Sequence, residues 1–383
     1  MGLERNGKEQ IKCLSDYVDV PVLTYDSIRK KVLELYVERV HVPRTSSLMK
    51  DEGKRIAFRY MVKAERVFQY VVTNLGKVAR LPPIDSLNPF YAELLNIATN
   101  GSYEELRKRA ALAVKVIAGL WKEYRERILD AGENAKKYSV EFVGRTLSIL
   151  KRKVKNLEVT KNIAYVSRNT PCIDFEKPLI IVSGMPQVGK STFVGRVSSA
   201  KPKTSPYPFT TKNVILGHIN LGNDIFIQVM DTPGILDRPI NEMNEIERKA
   251  IAAIKYLKAV VLYLMDPSRD SYYSFDSQLT VLKTVETLVG GKEKIIVVFN
   301  KVDKVDEERL RECTQIVKKL GYEKVLTMSA LYGTNVWNVI WEAIKLYDAI
   351  YGTNFEDMLK VYSSSITSAS ISSSNSSSSP TSS

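Results

Sequence analysis

The sequence predicts an all-α helical bundle followed by an α/β domain with a mostly parallel, doubly wound sheet. Long charged segments poor in Gly and Pro fill the first half, which is typical of helices. After residue 170, short apolar runs alternate with helical segments, as in parallel βαβ units. We therefore predict a helical domain over 1–170, an α/β domain over 171–352 and a C-terminal segment over 353–383.

Composition excludes several protein classes. The chain of 383 residues is 44% hydrophobic and 26% charged, which is typical of a globular protein with room for two domains. It contains no run of 18 apolar residues, so no transmembrane helix is expected, and residues 1–20 lack the apolar core of a secretory signal. Three cysteines far apart, without a CxxC pair, and two histidines argue against a zinc site. We expect a cytoplasmic protein.

The first half contains several segments with helical character. Apolar residues recur at helical spacing between Ile28 and Val40, and the segments 54–75, 104–130 and 133–157 are charged and free of proline. Breaks at 81–83, 88–89 and 100–102 separate them, which predicts four or five helices. Ser102, followed three residues later by Glu105, predicts a capping box.

Apolar runs in the second half are predicted to be strands covered on both faces. These runs are Pro178–Ser183, Ile225–Met230, Ala259–Met265, Lys294–Phe299 and Lys324–Met328. The last 21 residues, Ser363–Ser383, contain 14 serines and no charged residue. They offer too little apolar surface to offset the entropy of ordering, so we predict a disordered tail.

The net charge of +13 is concentrated in one half. Residues 1–170 hold 32 Lys and Arg against 20 Asp and Glu, whereas residues 171–383 are nearly balanced. This asymmetry indicates that the first half meets a polyanion. An acidic protein and an anionic membrane surface would satisfy the same charge, and a solvated basic surface is the alternative without a partner.

A phosphate-binding loop follows the first predicted strand. The segment Gly184-Met185-Pro186-Gln187-Val188-Gly189-Lys190-Ser191 matches GxxxxGK[ST], and Thr192 continues into a helix. Glycines let backbone N–H groups point at the phosphates, and the helix adds its positive end. Lys190 is expected to reach the β- and γ-phosphates and Ser191 to ligate Mg²⁺.

Three more motifs follow strands in the order that a GTPase requires. Asp231-Thr232-Pro233-Gly234 places a carboxylate near Mg²⁺ and an N–H group near the γ-phosphate. Asn300-Lys301-Val302-Asp303 follows another strand. Asp303 can accept from guanine N1–H and N2–H₂ together, which adenine does not offer, whereas Lys301 is expected to cover the base and Asn300 to brace the loops. Backbone N–H groups of Ser329-Ala330-Leu331 are expected at guanine O6.

The first switch is predicted between the phosphate loop and Asp231. The segment Tyr207-Pro208-Phe209-Thr210-Thr211 offers two threonines, and a GTPase needs one to cap Mg²⁺ while the γ-phosphate is present. We choose Thr211 over Thr210 as the metal ligand, with an exposed turn as the alternative. The predicted metal ligands are Ser191, Thr211 and Asp231, and the predicted catalytic residues are Lys190, Thr211 and Gly234.

The motif residues resemble the nucleolar GTP-binding protein 1 family of Obg-related GTPases. The resemblance rests on Tyr207–Lys212, on the extended run Asp231–Pro239 (DTPGILDRP), on Asn88–Leu95 and on the basic segment Lys54–Arg66. It covers roughly residues 15–350, and the chain resembles the short archaeal form of the family. The resemblance implies a factor that binds the large ribosomal subunit or its precursor during assembly, with the helical domain on ribosomal RNA.

The chain departs from the family pattern at the fourth position of the phosphate loop. Many relatives have an asparagine there that helps to bind potassium, whereas this chain has Gln187. The resemblance therefore does not carry potassium-stimulated hydrolysis over to this chain.

The second switch lacks a side chain that orients water. Ras-type GTPases place a glutamine after the DTPG glycine, and this chain has Ile235. We predict slow intrinsic hydrolysis that needs a group supplied elsewhere. Arg238 is interpreted as a structural salt-bridge or cap residue, with an arginine finger as the less favoured alternative.

Basic residues in the helical half form two rows at helical spacing and one dense cluster. Three groups are predicted to contact RNA backbone by shape: Arg55, Arg59, Lys63 and Arg66; Lys108, Lys115 and Lys122; and Lys151, Arg152 and Lys153. A solvated face is the alternative for any one group.

Two rival functions stay open. One is a GTPase at an anionic membrane surface, which the sequence disfavours because the basic groups lack an exposed apolar face, so that no stable membrane association is expected. The other is a GTP-dependent placeholder in assembly with negligible hydrolysis.

Overall fold

The computed structural model describes residues 13–42, 51–198, 203–222, 225–239, 242–358 and 360. They form two compact units that divide between Arg168 and Asn169. The predicted serine-rich tail lies outside the described residues. The predicted roles of the two domains stay predictions.

The first unit is helical. In its described residues we find α1 Leu14–Tyr17, α2 Tyr25–Val37, α3 Glu52–Ala79, α4 Pro89–Thr99, α5 Tyr103–Asp130, α6 Ala135–Lys153 and α7 Val159–Asn169. The predicted number of four or five helices is therefore wrong, because the one-turn helix α1 and the segment after α6 gave no sustained periodic pattern.

Local capping sets several helix starts. Thr24 accepts the Ser27 N–H group at 3.0 Å at the start of α2, and Asn88 accepts the Phe90 N–H group at 2.9 Å at the start of α4. The predicted capping box at Ser102 is wrong, since its hydroxyl donates instead to the Thr99 carbonyl at 2.6 Å.

Helices α3, α5 and α6 form the centre of the helical unit. Their facing side chains are apolar and buried, as in Val67, Ile117 and Phe142. The Trp121 ring stacks on Phe68 at 5.1 Å between ring centroids. The core explains why these three long helices are stable despite their charged outer faces.

The second unit contains a seven-stranded sheet with the order β2-β3-β4-β1-β5-β6-β7. Its strands are β1 Leu179–Ser183, β2 Lys203–Pro206, β3 Asn213–Gly222, β4 Ile225–Asp231, β5 Ala259–Met265, β6 Ile295–Phe299 and β7 Val325–Thr327. Its helices are α8 Lys190–Val197, α9 Glu245–Ala252, α10 Phe275–Val289, α11 Glu307–Lys319 and α12 Val336–Tyr351. The predicted fold class is confirmed: a helical domain precedes a mostly parallel sheet of the P-loop GTPase type.

Two strands were not predicted. β2 and β3 form an antiparallel edge that joins the parallel strands through β4. β2 is mostly exposed, and β3 mixes buried residues with partly exposed ones, so neither has the uninterrupted apolar character used to predict strands.

The parallel register brings the ends of five strands to one edge. Val182 of β1 lies beside Asp231 of β4, Met265 of β5 beside Phe299 of β6, and Phe299 beside Thr327 of β7. The loops that follow these strands therefore meet at the carboxyl edge of the sheet, where ligands bind in folds of this type. Across the described chain, no helix combines the length and apolar character needed to cross a membrane.

Candidate nucleotide site

The phosphate loop requires glycine at two positions. Gly184 has φ +133°, and a Cβ atom there would lie 2.3 Å from the Leu264 carbonyl oxygen. Gly189 has φ +99°, and its Cβ would lie 2.2 Å from Asn300 Nδ2. The loop thus passes too close to β5 and to the base-side asparagine for any larger residue.

A cavity of about 360 Å³ opens beside this loop. It is lined by Pro186, Gln187, Gly189, Lys190, Ser191, Thr192, Pro233 and Asp237. Seven of these eight residues were predicted to bind nucleotide; Met185 and Val188 are instead buried. A smaller cavity of about 90 Å³ in the helical unit contains none of the predicted nucleotide residues.

Lys190 is buried and folded onto its own loop. Its Nζ donates to the carbonyl oxygens of Gly184 at 2.7 Å and Met185 at 3.0 Å. Burial lowers the pKa of Lys190, whereas the charges of Asp237 and Asp231 act in the opposite direction. The ammonium group is therefore desolvated and ready to turn toward an anion in the cavity.

Two of the three residues predicted to hold Mg²⁺, Ser191 and Asp231, fit such an ion. Ser191 Oγ donates to Asp231 Oδ2 at 3.0 Å, and Asp231 is fully buried. Its other oxygen, Oδ1, is buried and has no hydrogen-bond partner among the described residues. Burial raises the pKa of Asp231, with the Ser191 hydrogen bond and the Lys190 charge opposing this. A buried oxygen without a partner beside a hydroxyl is suited to a hard cation or its water.

Asp231→Asn is expected to weaken Mg²⁺ binding in the presence of GDP by roughly 10- to 100-fold. The amide keeps the shape of the carboxylate but removes the charge that faces the metal. The measurement is a Mg²⁺ titration of the protein with a bound fluorescent GDP analogue. The control is Glu245→Gln, which removes one carboxylate from the surface of α9. Equal Mg²⁺ affinity in Asp231→Asn and wild type would contradict this role.

The second switch begins with a turn anchored in the core. The Thr232 hydroxyl donates to the Val182 carbonyl at 3.0 Å, and the Ser183 hydroxyl donates to the Leu236 carbonyl at 2.6 Å. Gly234 has φ +72°, and a Cβ there would lie 2.7 Å from Lys212 Cδ. Its N–H group donates to Asp237 Oδ2 at 2.6 Å, so a carboxylate occupies the donor predicted for the γ-phosphate.

Neighbouring residues of this switch face away from the cavity. Ile235 is fully buried, so its side chain packs in the core. Arg238 pairs with Glu247 and donates to the Glu242 carbonyl at 3.3 Å. These contacts agree with the interpretation of Arg238 as a structural salt-bridge residue.

The first switch contains a tight turn. The Thr210 hydroxyl donates to the Tyr207 carbonyl at 3.0 Å and accepts the Lys212 N–H group at 3.1 Å. Thr211 is exposed, and its hydroxyl has no hydrogen-bond partner in the part of the chain that the structure describes. Phe209, Thr210 and Thr211 do not line the phosphate cavity, so Thr211 as a metal ligand stays a prediction.

The base-side motifs are tied to the phosphate loop. Asn300 is buried; its Nδ2 donates to the Val188 carbonyl at 2.8 Å, and its Oδ1 accepts the Ala330 N–H group at 2.9 Å. Asn300 therefore braces both loops, as expected. The Ala330 N–H group predicted to meet guanine O6 is instead engaged by this side chain.

The remaining base residues lie in an open arrangement. Asp303 is exposed in the short 3₁₀ turn Val302–Lys304, where its carboxylate is accessible to a ligand. Lys301 has φ +62°, and its Nζ donates to Asp266 Oδ2 at 2.7 Å. Leu331 is exposed.

Three functional candidates were missed from the sequence. Asp237 lines the phosphate cavity, Asp266 holds Lys301, and Arg196 of α8 donates to the Ala330 carbonyl at 2.8 Å. Asp266 had a usable indication, because it follows β5 at the same sheet edge as the other motifs. Arg196 had none, since its partner lies 134 residues away.

Two of the three predicted basic groups are exposed at every residue, and the first of them lies on α5. Lys108, Lys115 and Lys122 on α5 form what we call the α5 lysine face, and all three are exposed. Neighbouring Arg107 and Arg109 are paired with glutamates of the same helix, whereas none of the three lysines forms an ion pair with a described residue. Two aliphatic side chains share this face: Leu112 is 51% and Val116 41% exposed.

The α3 group is largely engaged within its own unit. Arg55, Lys63 and Arg66 are half-buried, and Arg59 is exposed. Arg66 pairs with Glu38 at 3.4 Å, and Lys63 Nζ lies 5.6 Å from the Tyr36 ring centroid. Lys151, Arg152 and Lys153 are exposed in the last turn of α6, where positive charge also stabilises the helix end.

Comparison with known proteins identifies relatives of both units. The model of the NOG1 N-terminal helical domain matches residues 29–174, and that of nucleolar GTP-binding protein 1 matches residues 245–303. The nucleolar GTP-binding protein 1 of Drosophila melanogaster is 33% identical over 298 residues, which is 76% of this chain and 45% of that protein. An uncharacterized protein of Methanocaldococcus jannaschii is 34% identical over 259 residues, 65% of this chain and 70% of the relative.

One solved structure aligns with part of this chain. The crystal structure of a Plasmodium falciparum protein described as a nucleolar GTP-binding protein 1 aligns with a TM-score of 0.41 at 26% identity. The alignment covers 52% of this chain and all of that one.

The relatives correct one prediction and confirm another. This chain spans about half the length of its eukaryotic relatives, 45% in Drosophila and 54% in Encephalitozoon cuniculi. The predicted cytoplasmic location is wrong by this comparison, since these relatives are named as nucleolar proteins, which points to the nucleolus in eukaryotes. The resemblance inferred from the motifs is confirmed, because family models match both units and the Methanocaldococcus relative is covered over most of its length. The chain belongs to the nucleolar GTP-binding protein 1 family.

Proposed function

We propose that this GTP-binding protein hydrolyses GTP with Mg²⁺ and docks on large-subunit ribosomal RNA or its precursor through the helical domain. The single observation that carries the docking proposal is the α5 lysine face. Three lysines at seven-residue spacing are exposed and without ion pairs to described residues. Such a row can neutralise successive backbone phosphates of a folded RNA.

The geometry of the nucleotide site supports hydrolysis. Mg²⁺, when bound, offsets the charge of the phosphates. Ser191 and Asp231 would hold it, and Lys190 would add its charge to the β- and γ-phosphates. Ile235 is buried and apolar, so no side chain at that position orients water, and we expect slow turnover unless a partner supplies the missing group.

The proposed cycle links hydrolysis to docking. Loss of the γ-phosphate would release Thr211 and the Gly234 N–H group, and the two switches would relax. They touch each other where Lys212 packs on Gly234. Affinity for the ribosomal particle would then differ between the GTP and GDP states.

Charge reversal of the α5 lysine face is expected to reduce RNA docking. The variant Lys108→Glu, Lys115→Glu, Lys122→Glu should lower affinity for large ribosomal subunits by about tenfold or more, because each lost phosphate contact removes counterion release. The slope of log affinity against log salt should become shallower by roughly two to three. The measurement is co-sedimentation across a salt series with GDP, GTP and a non-hydrolysable GTP analogue.

The matched control carries the same change of charge elsewhere. Lys283→Glu, Lys318→Glu, Lys319→Glu reverses three exposed lysines on α10 and α11, outside every predicted site. Equal binding by the two variants would show that net charge, not the α5 face, drives association. Absence of sedimentation by the wild type in every nucleotide state would overturn the ribosomal proposal.

A specific observation favours a second candidate, a GTPase at an anionic membrane surface. The sequence argued against it because no apolar side chain was expected on the basic face, yet Leu112 and Val116 are exposed among the α5 lysines. We still favour RNA, because two aliphatic side chains form a small surface for insertion. Flotation with phosphatidylserine vesicles, together with failure to sediment with ribosomal particles, would reverse this preference.

A further inference from the structure

We propose that Asp237 occupies the γ-phosphate position and thereby sets the balance between GDP and GTP binding. This inference rests on the GTP-binding function and adds a specificity-determining residue to it. Without nucleotide, the Asp237 carboxylate would take the place of the third phosphate. GDP leaves that arrangement in place, whereas GTP must displace it.

The first argument is the hydrogen bond that Asp237 makes. The Gly234 N–H group donates to Asp237 Oδ2 at 2.6 Å, a short distance for a charge-assisted bond. The sequence predicted this same N–H group to bind the γ-phosphate. A carboxylate and a phosphate oxygen are both anionic acceptors, so they compete for one donor.

The second argument is location. Asp237 is 8% exposed, and the surface that remains lines the cavity together with Lys190 and Ser191. The charge of Asp237 acts on the Lys190 ammonium, which the γ-phosphate would also need. Asp237 thus bonds to the Gly234 N–H group and acts electrostatically on the Lys190 ammonium, and a terminal phosphate would be favoured by the same donor and the same charge.

The third argument is that the backbone on both sides of Asp237 is held. Leu236 is fully buried, and its carbonyl accepts the Ser183 hydroxyl. Arg238 pairs with Glu247 on α9. The fold therefore directs the carboxylate into the cavity. The carboxylate can leave this position only if the Asp237 side chain rotates or the whole second switch moves.

Electrostatics gives the direction of the effect. GTP carries one more phosphate than GDP, and that phosphate would lie beside the Asp237 carboxylate in a desolvated site. GTP binding must break the bond to Gly234 and overcome this repulsion, whereas GDP binding does neither. We expect Asp237 to lower GTP affinity by about 10- to 100-fold relative to GDP.

The test compares two nucleotides on two variants. Asp237→Asn keeps the shape and a weaker acceptor but removes the charge, and Asp237→Ala removes the acceptor. Titration calorimetry with GDP and with a non-hydrolysable GTP analogue should show analogue affinity raised by roughly tenfold or more in both variants. GDP affinity should stay within about twofold of wild type. Glu245→Gln, an exposed carboxylate on α9, should change neither.

The outcomes separate this inference from the proposed function. Analogue affinity that falls or stays constant in both variants, with melting temperatures near that of the wild type, overturns the role of Asp237. Such a fall would indicate that Asp237 assists GTP instead of competing with it. A wild type that shows the expected nucleotide ratios but does not sediment with ribosomal particles would instead overturn the docking proposal alone.

Discussion

Replacing Asp303 by alanine is expected to lower GTP affinity by roughly 10²- to 10⁴-fold and to abolish the preference for guanine over adenine nucleotides. The reason is that one carboxylate accepts from both guanine N1–H and N2–H₂, and adenine offers no such pair. Asp303 lies in an exposed turn after β6, so the substitution should leave the fold intact. Binding of GTP, GDP and ATP is measured by titration calorimetry.

The control for this substitution is Asp270→Ala. Asp270 is also exposed and follows a strand, β5, but forms no hydrogen bond or ion pair with the described residues. The Asp270→Ala protein should bind GTP with the same affinity as the wild type. An Asp303→Ala protein that still prefers GTP to ATP would show that the base is selected elsewhere, for example by backbone groups near Leu331.

Replacing Lys190 by alanine is expected to slow GTP hydrolysis in a single turnover by roughly 10²- to 10³-fold. The Lys190 ammonium is buried, and among the described residues its hydrogen bonds go to loop carbonyls, so it is already removed from bulk water before it contacts the phosphates. Its charge counts most where negative charge develops on the transferred phosphoryl group. The substitution should lower the affinity for GDP by a smaller factor than it lowers the rate of hydrolysis.

Two variants control the loss of Lys190. Lys190→Met retains most of the side-chain volume and removes the charge, and it should hydrolyse GTP as slowly as Lys190→Ala. This result would attribute the loss of rate to the missing charge and not to a collapse of the loop. Lys283→Ala, an exposed lysine of α10, should hydrolyse GTP normally. A rate within about twofold of the wild type for both Lys190 variants would remove Lys190 from the mechanism. Wild-type protein that shows no turnover even with ribosomal particles would favour the placeholder function.

Much of the sheet was predictable because burial on both faces leaves uninterrupted apolar runs. β5 was predicted at its observed bounds, and β1 and β6 to within one residue. β2 at the edge of the sheet and β3 beside it were missed because polar residues interrupt their apolar ones, so neither is a continuous apolar run. β2, β3 and β4 pair as consecutive antiparallel strands, whereas the predicted pattern was one of parallel strands separated by helices.

The phosphate and base motifs were also predictable, since each is a short segment whose residue types are set by its own local backbone conformation and chemistry. Gly184 and Gly189 illustrate this, because no larger residue fits the loop. Contacts between motifs were not predictable. The Ala330 N–H group bonds to Asn300, and Lys301 bonds to Asp266, because loops distant in sequence converge at the sheet edge.

The sequence by itself determined the order of domains, the GTPase motifs and the family, because these depend on residue type and spacing along the chain. Only the tertiary structure decided which basic groups are available to a partner. The α3 and α5 groups have similar helical spacing, yet Arg66 and Lys63 are engaged by Glu38 and Tyr36 whereas the α5 lysines face solvent. Helical periodicity defines a common face, but what packs against that face depends on the other helices.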